Sequence, residues 1–290
     1  MSSLKLDENQ RRDVRAALIY AYLRLARPWR EVALSLFALG AGRKHPAYQR
    51  LIRQIEKDLG DFSIIWQSEM LRHIDSATRR GIARGETELE REFPDADRLI
   101  EEMMARSPLQ RETVRPFASK QAKAIAAALL LLLLSKRSPR GFAAELDRLF
   151  GRPLNDALRT LQNEIHRAEQ IGYLAVGRAY PEIVSGWVWE TQKDDLVCAI
   201  CWILDGQWFP ISEPFVDHPH GRCYPRYSDE RTEGGQAFLS LREDEQRAVL
   251  GPTRYPLWRS GRVALADLLK IKYDAWGKHY VLKRLDELEV

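Results

Sequence analysis

The chain has 290 residues, 45% hydrophobic and 30% charged, with a formal net charge of +4. That composition excludes a disordered polymer, and the length suits one large domain or two ordinary ones. A charge this small names no partner, but its distribution is uneven: Arg11, Arg12, Arg15, Arg24, Arg27, Arg30, Arg43, Lys44, Arg50 and Arg53 face only Asp13 and Glu31 over the same stretch. Such a run is either a solvated helix surface or a contact for an acidic partner such as nucleic acid or an acidic protein.

In chain order, "DENQRRDVRAALIYAYLRLA" carries apolar residues at helical spacing. Pro28 is expected to open a second helix, "PWREVALSLFALG", closed by Gly40 or Gly42. The helical pattern continues through "HPAYQRLIRQIEKDLG" and "DFSIIWQSEMLRHIDSATRRGIARGETELEREF" until Pro94. A long helix is predicted over roughly 109–135, then a short one between Pro139 and Gly151, and another from Pro153 to Pro181. The apolar run from Ala124 to Leu134 is far short of the ~20 residues of a membrane span, so a buried helix is expected there. The polar N-terminus reads as no signal peptide, and no membrane partner is expected.

After Pro181 the character changes. "IVSGWVWET" reads as a strand, and "GQWFPI" as a second after a turn at Asp205-Gly206. Past residue 235 helices are expected again, in "GQAFLSLREDEQRAVLG" and "RVALADLLKIKYDAWGKHYVLKRLDELEV". The organisation read from sequence is a helical region 1–108, a long-helix region 109–181, a β-containing module 182–228 and a helical tail 229–290. The fold class is mainly α with a small β-containing module (α+β).

All three cysteines fall inside that module: Cys198, Cys201 and Cys223, the last beside His218 and His220. A C-x2-C pair presents two thiolates to one ion, and a second pair from a distant loop completes a tetrahedron. Cys223 with either His218 or His220 would be that second pair. Coordination would replace the hydrophobic burial that this short, proline-rich segment lacks. Two other readings are buried cysteines packing as small hydrophobes and a redox pair; the second lacks a surrounding βαβ unit. Catalytic zinc patterns are missing: there is no H-x-E and no H-E-x-x-H. Three thiolates and one imidazole leave no open coordination position, which favours a structural Zn2+. Trp187, Trp189, Trp202, Trp208 and Phe209 are expected to pack around the metal loop.

Trp189, the Asp194-Asp195 pair, "VCAIC", "LDG" and "HPHGRC" follow one another in order. This arrangement resembles the phage Mu F-like head morphogenesis family, the minor capsid proteins of tailed phages and prophages. In the family pattern the closing element is H-P-x-C-R-C. His218, Pro219, Arg222 and Cys223 match it, while Gly221 stands where the first of the two cysteines usually is, and the match favours His218 over His220 as the imidazole. "LRTLQNEIHRAEQIGYLAVGRAY" upstream and "FLSLREDEQRAVLGPTRYPLWRSGRVALADLL" downstream are also similar to the family, so the resemblance covers about residues 155–270.

The resemblance implies a non-enzymatic virion protein acting in head morphogenesis. Its metal ligands would be Cys198, Cys201, His218 and Cys223. The implied partners are the portal protein and other procapsid components, with packaged double-stranded DNA as a non-specific contact. The implied location is the interior of the head, reached from the host cytoplasm during assembly. The alternative is a zinc-stabilised nuclease or toxin of phage origin, which would require acids and histidines converging on a cleft.

Overall fold

The computed structural model describes residues 3–106, 114–135, 137–218, 221–274 and 277–288. The fold is mainly helical with small antiparallel sheets. The elements are α1 (Ser3–Ala38), α2 (Pro46–Leu89), α3 (Ala96–Arg106), α4 (Val114–Leu134), α5 (Pro139–Ala179), β1 (Gly186–Glu190), α6 (Ala199–Leu204), β2 (Trp208–Pro210), β3 (Tyr224–Tyr227), α7 (Gln236–Leu239), α8 (Glu243–Arg259), β4 (Leu269–Asp274) and β5 (Gly277–Leu282). Two compact units result, Met1–His73 with Glu101–Gln162, and Ile74–Ile100 with Asn163–Val290. Their limits fall inside α2, α3 and α5.

In the first unit, two helix breaks expected at proline do not occur. α1 runs through Pro28 and α5 through Pro153. Each proline removes one ladder hydrogen bond and crowds the preceding turn, at about 3 kcal/mol. Apolar stripes that extend across each proline offset that cost. On α1 the stripe is Leu18, Tyr22, Ala26, Trp29, Ala33 and Leu36, all buried. On α5 it is Phe142, Leu146, Leu149, Phe150, Leu154, Ala157 and Leu161. Stopping either helix would expose half of its stripe, and each large side chain contributes about 1.5–3 kcal/mol on burial.

Polar atoms in this core find partners. The Trp29 indole N–H donates to Asp58 Oδ2 at 2.7 Å, the Tyr22 hydroxyl donates to the Phe150 carbonyl, and the Trp66 indole N–H donates to the Ala157 carbonyl at 3.1 Å. The described side chains of the apolar helix α4 bury Ala122, Ile125, Leu129 and Leu132 on one stripe and leave Leu131 and Leu134 exposed. Among the described residues no helix is long and apolar enough to cross a membrane.

In the second unit, α2 and α5 approach at glycines. A Cβ on Gly81 would sit 1.9 Å from the Glu169 carbonyl oxygen, and one on Gly172 would sit 2.3 Å from that of Thr78. Only a residue without a side chain permits this crossing. Next comes a three-stranded antiparallel sheet, ordered β2–β1–β3. Its central strand pairs Trp187 with Phe209 on one side and with Tyr227 on the other. Tyr227 ties β3 to α5: its ring stacks on Tyr173 at 4.0 Å, its backbone N–H donates to the Tyr173 hydroxyl at 2.9 Å, and its hydroxyl accepts from Gly177 N–H at 3.0 Å while donating to the Tyr173 carbonyl. Arg84 of α2 lies over the Tyr173 ring at 3.7 Å and donates to the Pro225 carbonyl at 3.1 Å.

The tail differs from its expected form. α7 and α8 are helical, but residues 269–274 and 277–282, expected as helix, form the antiparallel pair β4–β5, in which Leu269 pairs with Leu282 and Asp274 with Gly277. Leu269, Ile271 and Tyr273 alternate with Lys270 and Lys272, a period of two that fits a strand. The helix-favouring Leu and Lys content obscured that alternation. Leu268, just before β4, is fully buried in a core with Trp202, Ile203, Phe238, Leu250 and Tyr255.

Candidate metal centre

The first half of the centre follows from local geometry. Cys198 is the N-cap of α6, with φ −77° and ψ 164°, and Cys201 lies in the first turn. A spacing of three on a helical turn puts both thiols on one face. The second half is the irregular chain between β2 and β3, which carries His218 and leads into Cys223 just ahead of β3.

His218 Nε2 lies 3.2 Å from Cys198 Sγ and 3.2 Å from Cys201 Sγ. Metal-ligand bonds of about 2.3 Å to sulfur and 2.0 Å to nitrogen put tetrahedral neighbours roughly 3.5 Å apart, close to these separations. Two triads, each with its donor atoms within 4.8 Å of one another, share Cys201: Cys198–Cys201–His218 and Cys201–Asp217–Cys223. None of the three cysteines forms a disulfide. His220 lies outside the described residues. The cluster of Cys198, Cys201, His218 and Cys223 could hold a metal ion.

The electrostatics suit a cation. The Cys198 thiol is held down to about 4 by the hydrogen bond from Cys201; burial opposes this, while the bond to His218 adds to it. The Cys201 thiol is driven far up by its hydrogen bonds to Cys198 and Cys223 and by burial. Without a cation, one proton leaves readily and the next is retained. A bound metal would favour the thiolates and displace the remaining thiol protons.

Sequence reasoning missed Asp217 at this site. Its side chain is 4% exposed and accepts hydrogen bonds from the backbone N–H of His218 at 2.8 Å and of Cys223 at 3.2 Å. Burial pushes its carboxyl up to about 6. The available signal was its position directly before a ligand histidine in a loop that has few other partners. Two further sets of contacts brace the centre. Arg222 forms a two-pronged pair with Asp194, 2.7 Å and 2.5 Å, across the two ligand segments. Asp205 Oδ1 accepts from Thr191 N–H at 2.9 Å and from its hydroxyl at 3.0 Å, and Gly206 N–H donates to the Trp189 carbonyl at 2.8 Å, which closes the turn between β1 and β2.

The aromatic surround is partly as expected. Trp187 and Trp189 are buried with Cys201 and Cys223, and Phe209 packs on them half-buried. Phe215, not anticipated, is central, with its ring 4.6 Å from Trp189 and 5.6 Å from Trp187. Trp202 turns instead into the neighbouring core with Phe238 and Tyr255, because each step along a helix rotates the side chain by about 100°, which carries Trp202 off the face that holds Cys198 and Cys201. Trp208 is half-buried under the Arg231 guanidinium, 4.9 Å from the ring centre. The chain matches no family model, no curated protein and no solved structure.

Proposed function

We propose that this chain is a minor head protein of a tailed phage or prophage. In this reading it acts in procapsid assembly at the portal and carries one structural Zn2+ on Cys198, Cys201, His218 and Cys223. The observation that carries the reading is that the residues of the head-morphogenesis pattern serve one centre. Cys198 and Cys201 approach His218; Cys223 joins through Cys201; Asp194 and Arg222 pair across the two ligand segments; and the Asp205-Gly206 turn closes the strand bearing Trp189. Thiolate-rich tetrahedral sites suit zinc, and a filled donor set supports a binding role over catalysis. Arg15, Arg24, Arg27, Arg43, Lys44, Arg50 and Arg53 are exposed, whereas Arg30 pairs with Asp147 at 2.6 Å. The side chains of Arg11 and Arg12 lie outside the described residues. The exposed cations would meet packaged DNA phosphates or an acidic portal surface inside the head.

The test is to co-express the full-length chain with the portal and procapsid proteins encoded beside it and to measure its incorporation into procapsids. Failure of a zinc-loaded, folded chain to incorporate would overturn the assignment. Binding of purified chain to DNA should fall steeply with salt if phosphates are contacted, through counterion release.

A second reading, a zinc-stabilised nuclease or toxin, is favoured by one observation. A cavity of about 50 Å³ beside the centre is lined by Glu164, His166, Arg167, Phe215, Asp217 and His218. Nucleic-acid cleavage that disappears in His166→Ala would favour this reading over assembly.

A further inference from the structure

We propose that Asp217 is the positioning residue of the metal centre: one buried carboxylate sets the backbone of two ligands, His218 and Cys223, before an ion arrives. The inference rests on the metal reading above. Its Oδ1 accepts the His218 N–H at 2.8 Å and its Oδ2 the Cys223 N–H at 3.2 Å, so the two ligands are oriented from one point. Between them the Gly221 N–H donates to the His218 carbonyl at 2.8 Å.

Two further observations separate this role from ordinary packing. First, the carboxylate lies within 4.8 Å of both Cys201 Sγ and Cys223 Sγ. A carboxylate at that distance stands beside any ion held by the sulfurs, where an outer partner fixes the ligand backbone. Second, Gly221 leaves the space that the carboxylate fills. A Cβ there would fall 1.8 Å from Asp217 Oδ2 and 2.0 Å from its Cγ. Asp217 is short and buried, so any side chain at 221 must push it out of place. The other titratable groups facing it are His166, at 3.8 Å from Oδ2, and His218, whose Nε2 is 3.7 Å from Oδ1. Neither satisfies the two amides.

The test is Co2+ titration of the full-length chain, competed with a chelator and followed by its visible spectrum. Asp217→Ala should weaken Co2+ binding by about 10–100-fold, the range for lost outer-sphere partners. Asp217→Asn keeps one acceptor oxygen and should fall between the two. Gly221→Ala should weaken binding in the same direction although Asp217 is intact. In every variant the tetrahedral thiolate spectrum should keep its band positions and intensity. Unchanged affinity in Asp217→Ala and Gly221→Ala would overturn the proposal. So would a shifted or weakened spectrum in Asp217→Asn, because the carboxylate would then be a ligand. Wild-type chain that takes up no Co2+ or Zn2+ would sink the metal reading itself, an outcome distinct from both.

Discussion

The helical core of the first unit and the ligand segment between β2 and β3 reach order by opposite means. In the first unit, burial is distributed: the stripes on α1 and α5, with Ile55, Leu59, Phe62, Trp66 and Met70 on α2, place apolar side chains in the core at every turn. No single contact decides the fold, and two helices continue through a proline. In the ligand segment, the described residues from Ile211 to Cys223 bury only two apolar side chains, Phe215 and Cys223 itself, beside the carboxylate of Asp217. There, order rests on a few directed bonds: two amides to Asp217, a two-pronged ion pair and the sulfur-imidazole cluster. Distributed burial tolerates local violations, whereas directed bonds fail one at a time.

The largest expected effect is therefore at Cys201, which both triads share. Cys201→Ser should take bound metal from about one ion per chain to none by elemental analysis. Structural zinc contributes on the order of 10–16 kcal/mol in zinc-finger peptides. Hydrogen exchange over residues 187–227 should rise accordingly while protection in the first unit stays unchanged. Equal loss of protection in both would break the comparison.

The counterpart in the distributed core is Trp29→Ala. It removes a fully buried ring and strips Asp58 of an indole donor, and should cost about 3–5 kcal/mol. Denaturant unfolding should report that loss with the metal content unaltered. A variant that lost its metal as well would show that the two kinds of order are coupled.

A smaller change is expected for Tyr227→Phe. The hydroxyl lies between the Gly177 N–H and the Tyr173 carbonyl, so its removal should cost about 1–3 kcal/mol by unpairing buried groups. If thermal unfolding shows no change, α5 closes that gap unaided.

Glu164→Gln should act in the opposite direction. Glu164 is 6% exposed, its Oε1 is buried without a hydrogen-bond partner, and burial raises its pKa against the opposing charge of Arg167. An acid raised in the folded state has no effect on stability below its unfolded pKa and penalises the fold as pH rises through and beyond that value. The glutamine variant should thus be the more stable at pH 7 and lose that advantage near pH 4. Stability curves at both pH values check the sign, and a variant less stable at pH 7 would show that the carboxylate is used.

Part of this was legible in the chain. Helical spacing marked the residues of α1, α2, α4 and α5, because a period of 3.6 is a property of one segment alone. The tryptophan strand, the Asp205-Gly206 turn and the confinement of the cysteines were equally local signals. The proline crossings were not legible, because the compensating burial comes from side chains brought together by folding, such as Tyr22 and Phe150 in the first unit. The β4–β5 pair was hidden because its Leu and Lys residues favour helix, and pairing decides between the two.

At the candidate metal centre, the sequence by itself determined the groups that could hold an ion: three cysteines and a neighbouring histidine in one window, with C-x2-C on a helical turn. Only the tertiary structure decided that Asp217 would be buried against two ligand amides and that Phe215 would lie between Trp187 and Trp189. The reason is physical. Donor chemistry belongs to residue type and spacing, whereas burial of a carboxylate and the clearance at Gly221 depend on what the rest of the chain packs around them.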